Sequence, residues 1–282
     1  MTGSTIAEAL RDARARLAPV SDTALLDAEL LLGHVLSRPR AWLHTWPEYT
    51  LEQSDLSRFR ALIERRATGA PVAYLTGRCR FWSLTLEVNP ATLVPRPETE
   101  LLVELALARI PPDTPLRIAD LGTGSGAIAI AIAKERPDCR VIAVDCSREA
   151  LAVARRNAAA NGVSNLLFHL GNWYRPLGKE RFDLILSNPP YIAEDDPHLR
   201  RGGLRFEPRD ALVAGADGLD ALRTLIRDGR THLRPGGWLL LEHGFDQGDA
   251  VMELLRRNGY HECSCHPDLA GHPRVSIGRQ AV

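Results

Sequence analysis

Residues 116–126 read Leu-Arg-Ile-Ala-Asp-Leu-Gly-Thr-Gly-Ser-Gly: a short, largely apolar run that ends in a glycine loop. An apolar segment of helical length, residues 126–135, follows at once. Glycines at such a strand-to-helix turn let the backbone bend tightly and approach a ligand that a Cβ would hold off. The same alternation continues downstream. Strands are predicted over 140–145, 166–170, 182–187 and 238–242, and helices over 147–161, 219–233 and 246–258. Gly162 is placed to end the 147–161 helix. Five strands joined by helical crossovers imply an α/β fold with a parallel, doubly wound sheet. The last two strands, 261–266 and 274–277, have no helix-length segment between them. They must form a hairpin, which gives a seven-stranded, mostly parallel sheet with one antiparallel strand.

Upstream the pattern changes from period two to helical spacing. Thr5 and Glu8 fit a capping box, followed by Ile6, Leu10, Ala13 and Leu17 on one face. Ala24, Ala28, Leu31, Leu32 and Val35 repeat the pattern until Pro39 stops it. Leu56, Phe59, Leu62, Ile63 and Arg66 make a third stripe, with Gly69 placed to close it. Residues 1–77 are therefore read as a small N-terminal helical bundle. Residues 78–95, with Phe81-Trp82-Ser83-Leu84-Thr85-Leu86-Glu87-Val88 broken by Asn89-Pro90, read as a β-hairpin or connector. Residues 96–282 form the α/β domain.

Charge and composition exclude several classes. The chain has 282 residues with 35 basic and 35 acidic side chains, so a strongly basic nucleic-acid binder or a polybasic membrane binder is not indicated. The 1–77 region is itself neutral, with nine of each sign, which suits a folded partner better than phosphates. The longest apolar stretches, such as Ala127 to Ala133, fall far short of the roughly 18 residues that span a bilayer. Glu8 and Asp12 interrupt any secretory h-region. Five cysteines without a C-x-x-C pair imply free thiols and a cytoplasmic setting. Cys263 and Cys265, beside His261 and His266, lack zinc spacing and read as a strand with alternating faces, so no metal is expected.

Two loops carry the chemistry. Asp145 ends the second strand, where a carboxylate can accept from both hydroxyls of a ribose. With Gly122-Thr123-Gly124-Ser125-Gly126 it fits any nucleoside-containing cofactor, and Gly122, Gly124 and Ala127 even satisfy the nicotinamide-type G-x-G-x-x-G/A pattern. After the fourth strand stands Ser187-Asn188-Pro189-Pro190-Tyr191. The first and fourth strands flank the point where strand order reverses, so both loops should share one cleft. Asn188 offers an amide oxygen acceptor. Two prolines remove two backbone donors, stiffen the loop and leave the Pro189 carbonyl available. Tyr191 offers a flat face for stacking. This set suits a planar NH2, either an exocyclic base amine or a carboxamide.

These residues resemble the S-adenosylmethionine-dependent N-methyltransferases. Further blocks narrow the match: Ala73-Tyr74-Leu75-Thr76-Gly77, Phe81-Trp82-Ser83-Leu84, Pro95-Arg96-Pro97-Glu98-Thr99-Glu100, Gly171-Asn172-Trp173, Glu207-Pro208 and Leu241-Glu242-His243-Gly244. With them, nearly the whole chain is similar to the release factor glutamine N5-methyltransferase family (the PrmC/HemK type), whose catalytic domain has a Rossmann-like methyltransferase sheet. The resemblance implies that Gly122, Thr123, Gly124, Ser125 and Gly126 line the methionine portion of S-adenosylmethionine and that Asp145 holds the ribose. Trp173 would lie against the cofactor, and Asn188 would touch cofactor and substrate. It further implies that Asn188, Pro189, Pro190 and Tyr191 clamp the glutamine of a Gly-Gly-Gln loop in class-1 peptide-chain release factors, with the N-terminal bundle seating that partner. Two positions depart from the family pattern: Cys79-Arg80 replaces Arg-Glu before Phe81, and Asn172 replaces the Asp before Trp173.

The alternative is a DNA or RNA amino-methyltransferase acting on a flipped base. The neutral bundle counts against it, because duplex binding requires phosphate neutralisation. A dehydrogenase is disfavoured by the lack of a Tyr-x-x-x-Lys pair. Arg96, Glu98 and Glu100 open a helix predicted over 97–108, where acids and a proline have structural reason to be, and a functional part for them stands equally open. His243 reads as a structural histidine. Residues 192–218 form a polar loop long enough to act as a lid or substrate shelf.

Overall fold

Thr5 and Glu8 close the expected capping box. The Glu8 N–H donates to Thr5 Oγ1 at 3.3 Å, and the Thr5 N–H donates to Glu8 Oε2 at 3.0 Å. This box starts α1 (Ile6–Leu17). The computed structural model describes residues 4–200 and 202–282. It divides into two units, Met1–Arg78 with Pro197–Phe206, and Cys79–Asp196 with Glu207–Val282.

In the first unit α1 is followed by α2 (Ala24–Leu36), α3 (Arg40–Thr45), α4 (Gln53–Ala67) and α5 (Val72–Thr76). The turns α3 and α5 were not predicted, because five or six residues are too few to display a period. Ser37, left-handed at φ 54°, ends α2 before Pro39 is reached. The core joins Ile6, Leu17, Leu31, Leu43, Phe59 and Ile63. Two buried acids on α2 are paired rather than bare. Asp27 accepts from Arg66 Nε at 2.8 Å and Ser21 Oγ at 2.7 Å, and Glu29 meets Arg40 and His44.

The second unit opens with β1 (Arg78–Phe81) and β2 (Leu84–Glu87), a two-stranded sheet turned at Trp82, φ 54°. The predicted 97–108 helix is divided: a 3-10 turn, Pro97–Thr99, precedes α6 (Glu100–Leu107). There follow β3 (Arg117–Leu121), α7 (Ala127–Glu135), β4 (Arg140–Asp145), α8 (Arg148–Ala160), β5 (Leu166–Leu170) and β6 (Phe182–Ser187). The chain then forms α9 (Asp220–His232), β7 (Leu233–Glu242), α10 (Gly248–Arg257), β8 (His261–Pro267) and β9 (Pro273–Arg279). Strand order is β5-β4-β3-β6-β7-β9-β8, and β9 alone runs against the direction of the other six. The seven-stranded, mostly parallel sheet expected from the sequence is therefore present.

β7 begins earlier than the apolar run at 238–242 indicates. Leu233 pairs with Phe182, the chain bulges through Arg234-Pro235-Gly236-Gly237, and Trp238 regains the register at Leu184. The bulge hides the start of the strand behind residues that read as a turn. Alternation along each strand loads both faces. Ile118, Val141 and Leu184 face one core with α7, whereas Ala119, Ile142 and Ile185 face another with Leu222 and Leu225 of α9. Burial on both faces explains why these strands read as continuous apolar runs.

Gly126 joins the glycine loop to α7 at φ 84°, and a Cβ there would lie 2.8 Å from Ile130 Cδ1 and 3.2 Å from Ala154 Cβ. Gly126→Ala combines left-handed strain with overpacking, so it is expected to lower stability by about 2 kcal/mol, read by urea denaturation.

Candidate active site at the carboxyl ends of the parallel strands

β3 and β6 lie side by side, with Asp120 opposite Leu186. Chain order reverses between them, because β4 and β5 lie beyond β3 while β7 lies beyond β6. Buried Ser187 donates from Oγ to the Leu121 carbonyl at 2.6 Å, tying the two strand ends together. On the β4 side, the N–H groups of Gly122 and Thr123 both donate to the Val144 carbonyl, at 2.9 and 3.0 Å. The glycine loop is thus fixed at its root to both neighbouring strands.

Asp145 ends β4 and braces the same loop. Its Oδ2 accepts from the Gly124 N–H at 2.8 Å and its Oδ1 from the Ser147 N–H at 2.9 Å. Burial pushes its carboxyl above the ordinary range, against the pull of these backbone donors. A carboxylate has about four lone-pair sites, so each oxygen keeps capacity for a further donor. Trp173, left-handed at φ 48°, lays its ring against Gly122, where a Cβ would come within 3.3 Å of Cζ3.

These groups enclose a cavity of about 870 Å³, within the range of small-molecule sites. Gly122, Thr123, Gly124, Ser125, Asp145, Trp173, Asn188 and Pro190 all line it, and so does Asn172. Gly126, Pro189 and Tyr191 adjoin these lining residues in the chain but do not themselves line the cavity. Gly126 packs on Ile130 and Ala154, Pro189 is buried, and the Tyr191 phenol reaches Glu242 Oε1 at 3.4 Å. Asn188 directs its amide Nδ2 to Thr99 Oγ1 at 3.1 Å.

The far wall contains residues to which sequence reasoning gave no role. Thr99, Pro95 and Ala91-Thr92-Leu93 line the cavity. Buried Glu207 fixes this segment by accepting from the Val94 N–H at 3.0 Å and pairing with Arg96. Glu100 accepts from the Trp82 N–H at 2.6 Å, so Arg96 and Glu100 serve as anchors here. Asp120 is fully buried beneath the glycine loop, where it accepts from the Thr123 hydroxyl at 2.6 Å. Among the described residues its Oδ1 has no partner, and burial raises its carboxyl to about 7. The available signal was an acid inside an otherwise apolar strand, two residues before the loop. Glu242, at the end of β7, is equally buried and is also raised to about 7, chiefly by burial.

His243 is enclosed. Nδ1 lies 2.8 Å from the Gly244 carbonyl and Nε2 lies 2.8 Å from Ser276 Oγ, and burial pushes the imidazole down. It is a packing group, as expected. Residues 192 and 212–214 are pinned beside the Asn-Pro-Pro-Tyr turn. Ile192 exchanges hydrogen bonds with Leu212 and Ala214, and Gln247 Nε2 donates to the Tyr191 carbonyl at 3.0 Å. Among the described residues no group of three or more His, Cys, Asp or Glu is placed to hold a metal ion, and no helix is long and apolar enough to cross a membrane.

Comparison with known proteins places the chain in a family. Residues 8–77 match the family model "PrmC N-terminal domain" and residues 98–200 match "Methyltransferase small domain". The chain is 56% identical over 254 residues to the release factor glutamine methyltransferase of Xylella fastidiosa (strain Temecula1), covering 90% of this chain and 92% of the relative. It is 46% identical over 276 residues to the protein of the same name from Coxiella burnetii, covering 98% and 99%. A Pyrococcus furiosus methyltransferase crystal structure shares the fold at a TM-score of 0.54 and 21% identity, covering 80% of this chain and 100% of that one. The chain is an S-adenosylmethionine-dependent methyltransferase and belongs to the release factor glutamine methyltransferase family.

Proposed function

We propose that this protein methylates the side-chain amide nitrogen, N5, of the glutamine in a Gly-Gly-Gln loop of class-1 peptide-chain release factors. The reading rests chiefly on Asn188. Its NH2 is engaged by Thr99, so its amide oxygen is left as an acceptor at the wall of the cavity that Gly122 to Ser125 and Asp145 also line. The names of the relatives favour a glutamine carboxamide over a base amine. The zero net charge favours a protein partner over a nucleic acid.

The residues present fit the cofactor. A loop with glycines at 122 and 124 admits close backbone approach, Asp145 keeps lone pairs for two ribose hydroxyls, and Trp173 supplies a flat apolar surface. S-adenosylmethionine, when bound, supplies a methyl group on a positively charged sulfur. The protein's contribution is orientation. A carboxamide nitrogen is a poor nucleophile because its lone pair is delocalised, so holding it in line matters more than removing its proton early. Acceptors on its two N–H groups, the Asn188 oxygen and the Pro189 carbonyl, would also stabilise the positive charge that develops on nitrogen. Tyr191 and the two prolines keep that turn rigid.

Incubation of the protein and cofactor with a release factor, and separately with DNA and RNA, followed by mass analysis, tests the reading. The expected product is a glutamine heavier by one methylene unit; methylated nucleic acid with unmodified release factor would refute it. Asn188→Ala is expected to lower kcat by about 10²-fold or more with the cofactor still bound. Asp145→Ala removes acceptors worth up to a few kcal/mol, so it should raise the cofactor Kd by about 10²-fold in calorimetry.

A further inference from the structure

Gln247 stands where a helix cap is expected, yet its side chain caps nothing. It precedes the first turn of α10, a position that Ser, Thr, Asp or Asn fills best, and it makes no capping bond to that helix. It reaches across to other segments instead. Oε1 accepts from the Gly244 N–H at 2.9 Å, while Nε2 donates to the Tyr191 carbonyl at 3.0 Å and lies 3.5 Å from the Gly218 carbonyl. The Tyr191 carbonyl is closely enclosed. At Gly218, φ 74°, a Cβ would come within 2.3 Å of that oxygen and 2.9 Å of Gln247 Nε2. A backbone N–H can only donate and a backbone carbonyl can only accept, so the Gln247 amide has one orientation that satisfies Gly244 and Tyr191 together. Gln247 itself does not line the cavity.

We propose that Gln247 is a positioning residue that fixes the exit of the Asn-Pro-Pro-Tyr turn and thereby the aim of its two acceptors. The inference rests on the clamp reading above. Pro189 and Pro190 bring no N–H, so the turn has little backbone bonding of its own. It is nevertheless stiff. Both rings fix φ, and a residue before a proline is confined to extended backbone, which restricts Pro189 in ψ as well. A stiff element passes a displacement along instead of absorbing it. The entry is anchored by Ser187 Oγ on the Leu121 carbonyl and by Asn188 Nδ2 on Thr99. At the exit, the peptide group between Tyr191 and Ile192 is held from both sides, its N–H by the Leu212 carbonyl and its oxygen by Gln247. The first bond fixes a point; the two together fix an orientation. With the second released, the turn would pivot about its entry and carry the Pro189 carbonyl and the Asn188 oxygen off the substrate nitrogen. A misplacement of about 1 Å is enough to cost about 10²-fold where rate depends on alignment.

The test uses the full-length protein with a release factor as substrate and separates kcat from cofactor Kd. Gln247→Glu keeps the size of the side chain and the acceptor for the Gly244 N–H, but sets a carboxylate against the Tyr191 carbonyl. At about pH 8 it should lower kcat by between about 10- and 100-fold. Cofactor Kd, read by calorimetry, should stay within about twofold of the parent, because the glycine loop and Asp145 are untouched. Once protonated, the same carboxyl has an O–H to give the Tyr191 carbonyl. A hydrogen bond made only by the neutral form raises a carboxyl's titration, so the ratio of variant to parent kcat should climb by about threefold or more as pH falls from about 8 to about 5. The neighbouring Glu242, His243, Asp246 and Arg274 are common to both proteins and divide out of that ratio. Gln247→Met, of similar length but without an N–H, should be impaired by a similar factor at every pH. Parental kcat in either folded variant overturns the proposal, and so does a Gln247→Glu ratio that fails to climb, which would leave the residue a packing role only. Should Gln247→Glu not fold, the methionine variant decides: lowered kcat at unchanged cofactor Kd supports the proposal, and equal loss of both overturns it. Asn188→Ala assayed alongside separates the two levels. If it is inactive while the Gln247 variants match the parent, only the positioning role falls; if it is itself active, the clamp reading falls and this inference with it.

Discussion

A parallel sheet whose strand order reverses must leave one gap at its carboxyl edge that no crossover helix covers. Here that gap lies between β3 and β6, and one buried hydrogen bond, Ser187 Oγ to the Leu121 carbonyl, sets its width. The loops that leave the two strands carry the Asn-Pro-Pro-Tyr turn and the glycine turn. Because both are rooted in strands packed on two faces, their relative position is determined by the core rather than by the loops. Such a foundation suits a reaction in which a weak nucleophile gains most from being held in line.

The fold was readable because sheet and helix impose different periods on the chain. The runs at 140–145, 166–170 and 182–187 became β4, β5 and β6 without change of limits. Where the reading erred, a local feature hid the period. The Arg234 to Gly237 bulge masked half of β7. The short turns α3 and α5 never complete a pattern. The predicted 97–108 helix starts as a tighter turn, which places Thr99 at the cavity wall.

The site divides along the same line. Gly122, Asp145, Trp173 and Asn188 could be named from the sequence because they sit in local motifs next to predictable strands, and one cavity gathers them. Thr99, Glu207 and Glu242 could not be assigned work in that way. Their significance lies in contacts across 89, 113 and 51 residues, to Asn188, Val94 and Tyr191. A single sequence carries the identity of such residues but not their juxtaposition. Glu207, for example, is visible as an acid before a proline, but nothing local says that it will accept the Val94 N–H.

Asp120 and Glu242 pose one problem and share one answer. Each is a buried acid at a strand end; Asp120 is held by the Thr123 hydroxyl and Glu242 by the Tyr191 phenol, and among the described residues each keeps one oxygen unpartnered. Burial raises both carboxyls to about 7, above their values in an unfolded chain. The sign of the consequence follows from proton linkage. At low pH both groups are protonated whether folded or not, and they cost nothing. As pH rises past the unfolded values, the unfolded chain ionises while the folded protein retains its protons, so stability is lost until the folded groups ionise near 7. A shift of this size amounts to something on the order of 3 kcal/mol per group above that pH. A scaffold selected for stability alone would place apolar side chains at both positions. Both acids instead stand beside the two loops that the chemistry uses, Asp120 bonded to Thr123 of the glycine turn and Glu242 to Tyr191 of the Asn-Pro-Pro-Tyr turn. Above about pH 7 both are carboxylates, which only accept hydrogen bonds, so each then gives the hydroxyl bonded to it one direction to point. The stability forgone above that pH accompanies a fixed direction for the Thr123 and Tyr191 hydroxyls, one in each loop that the parallel sheet brings to the cavity.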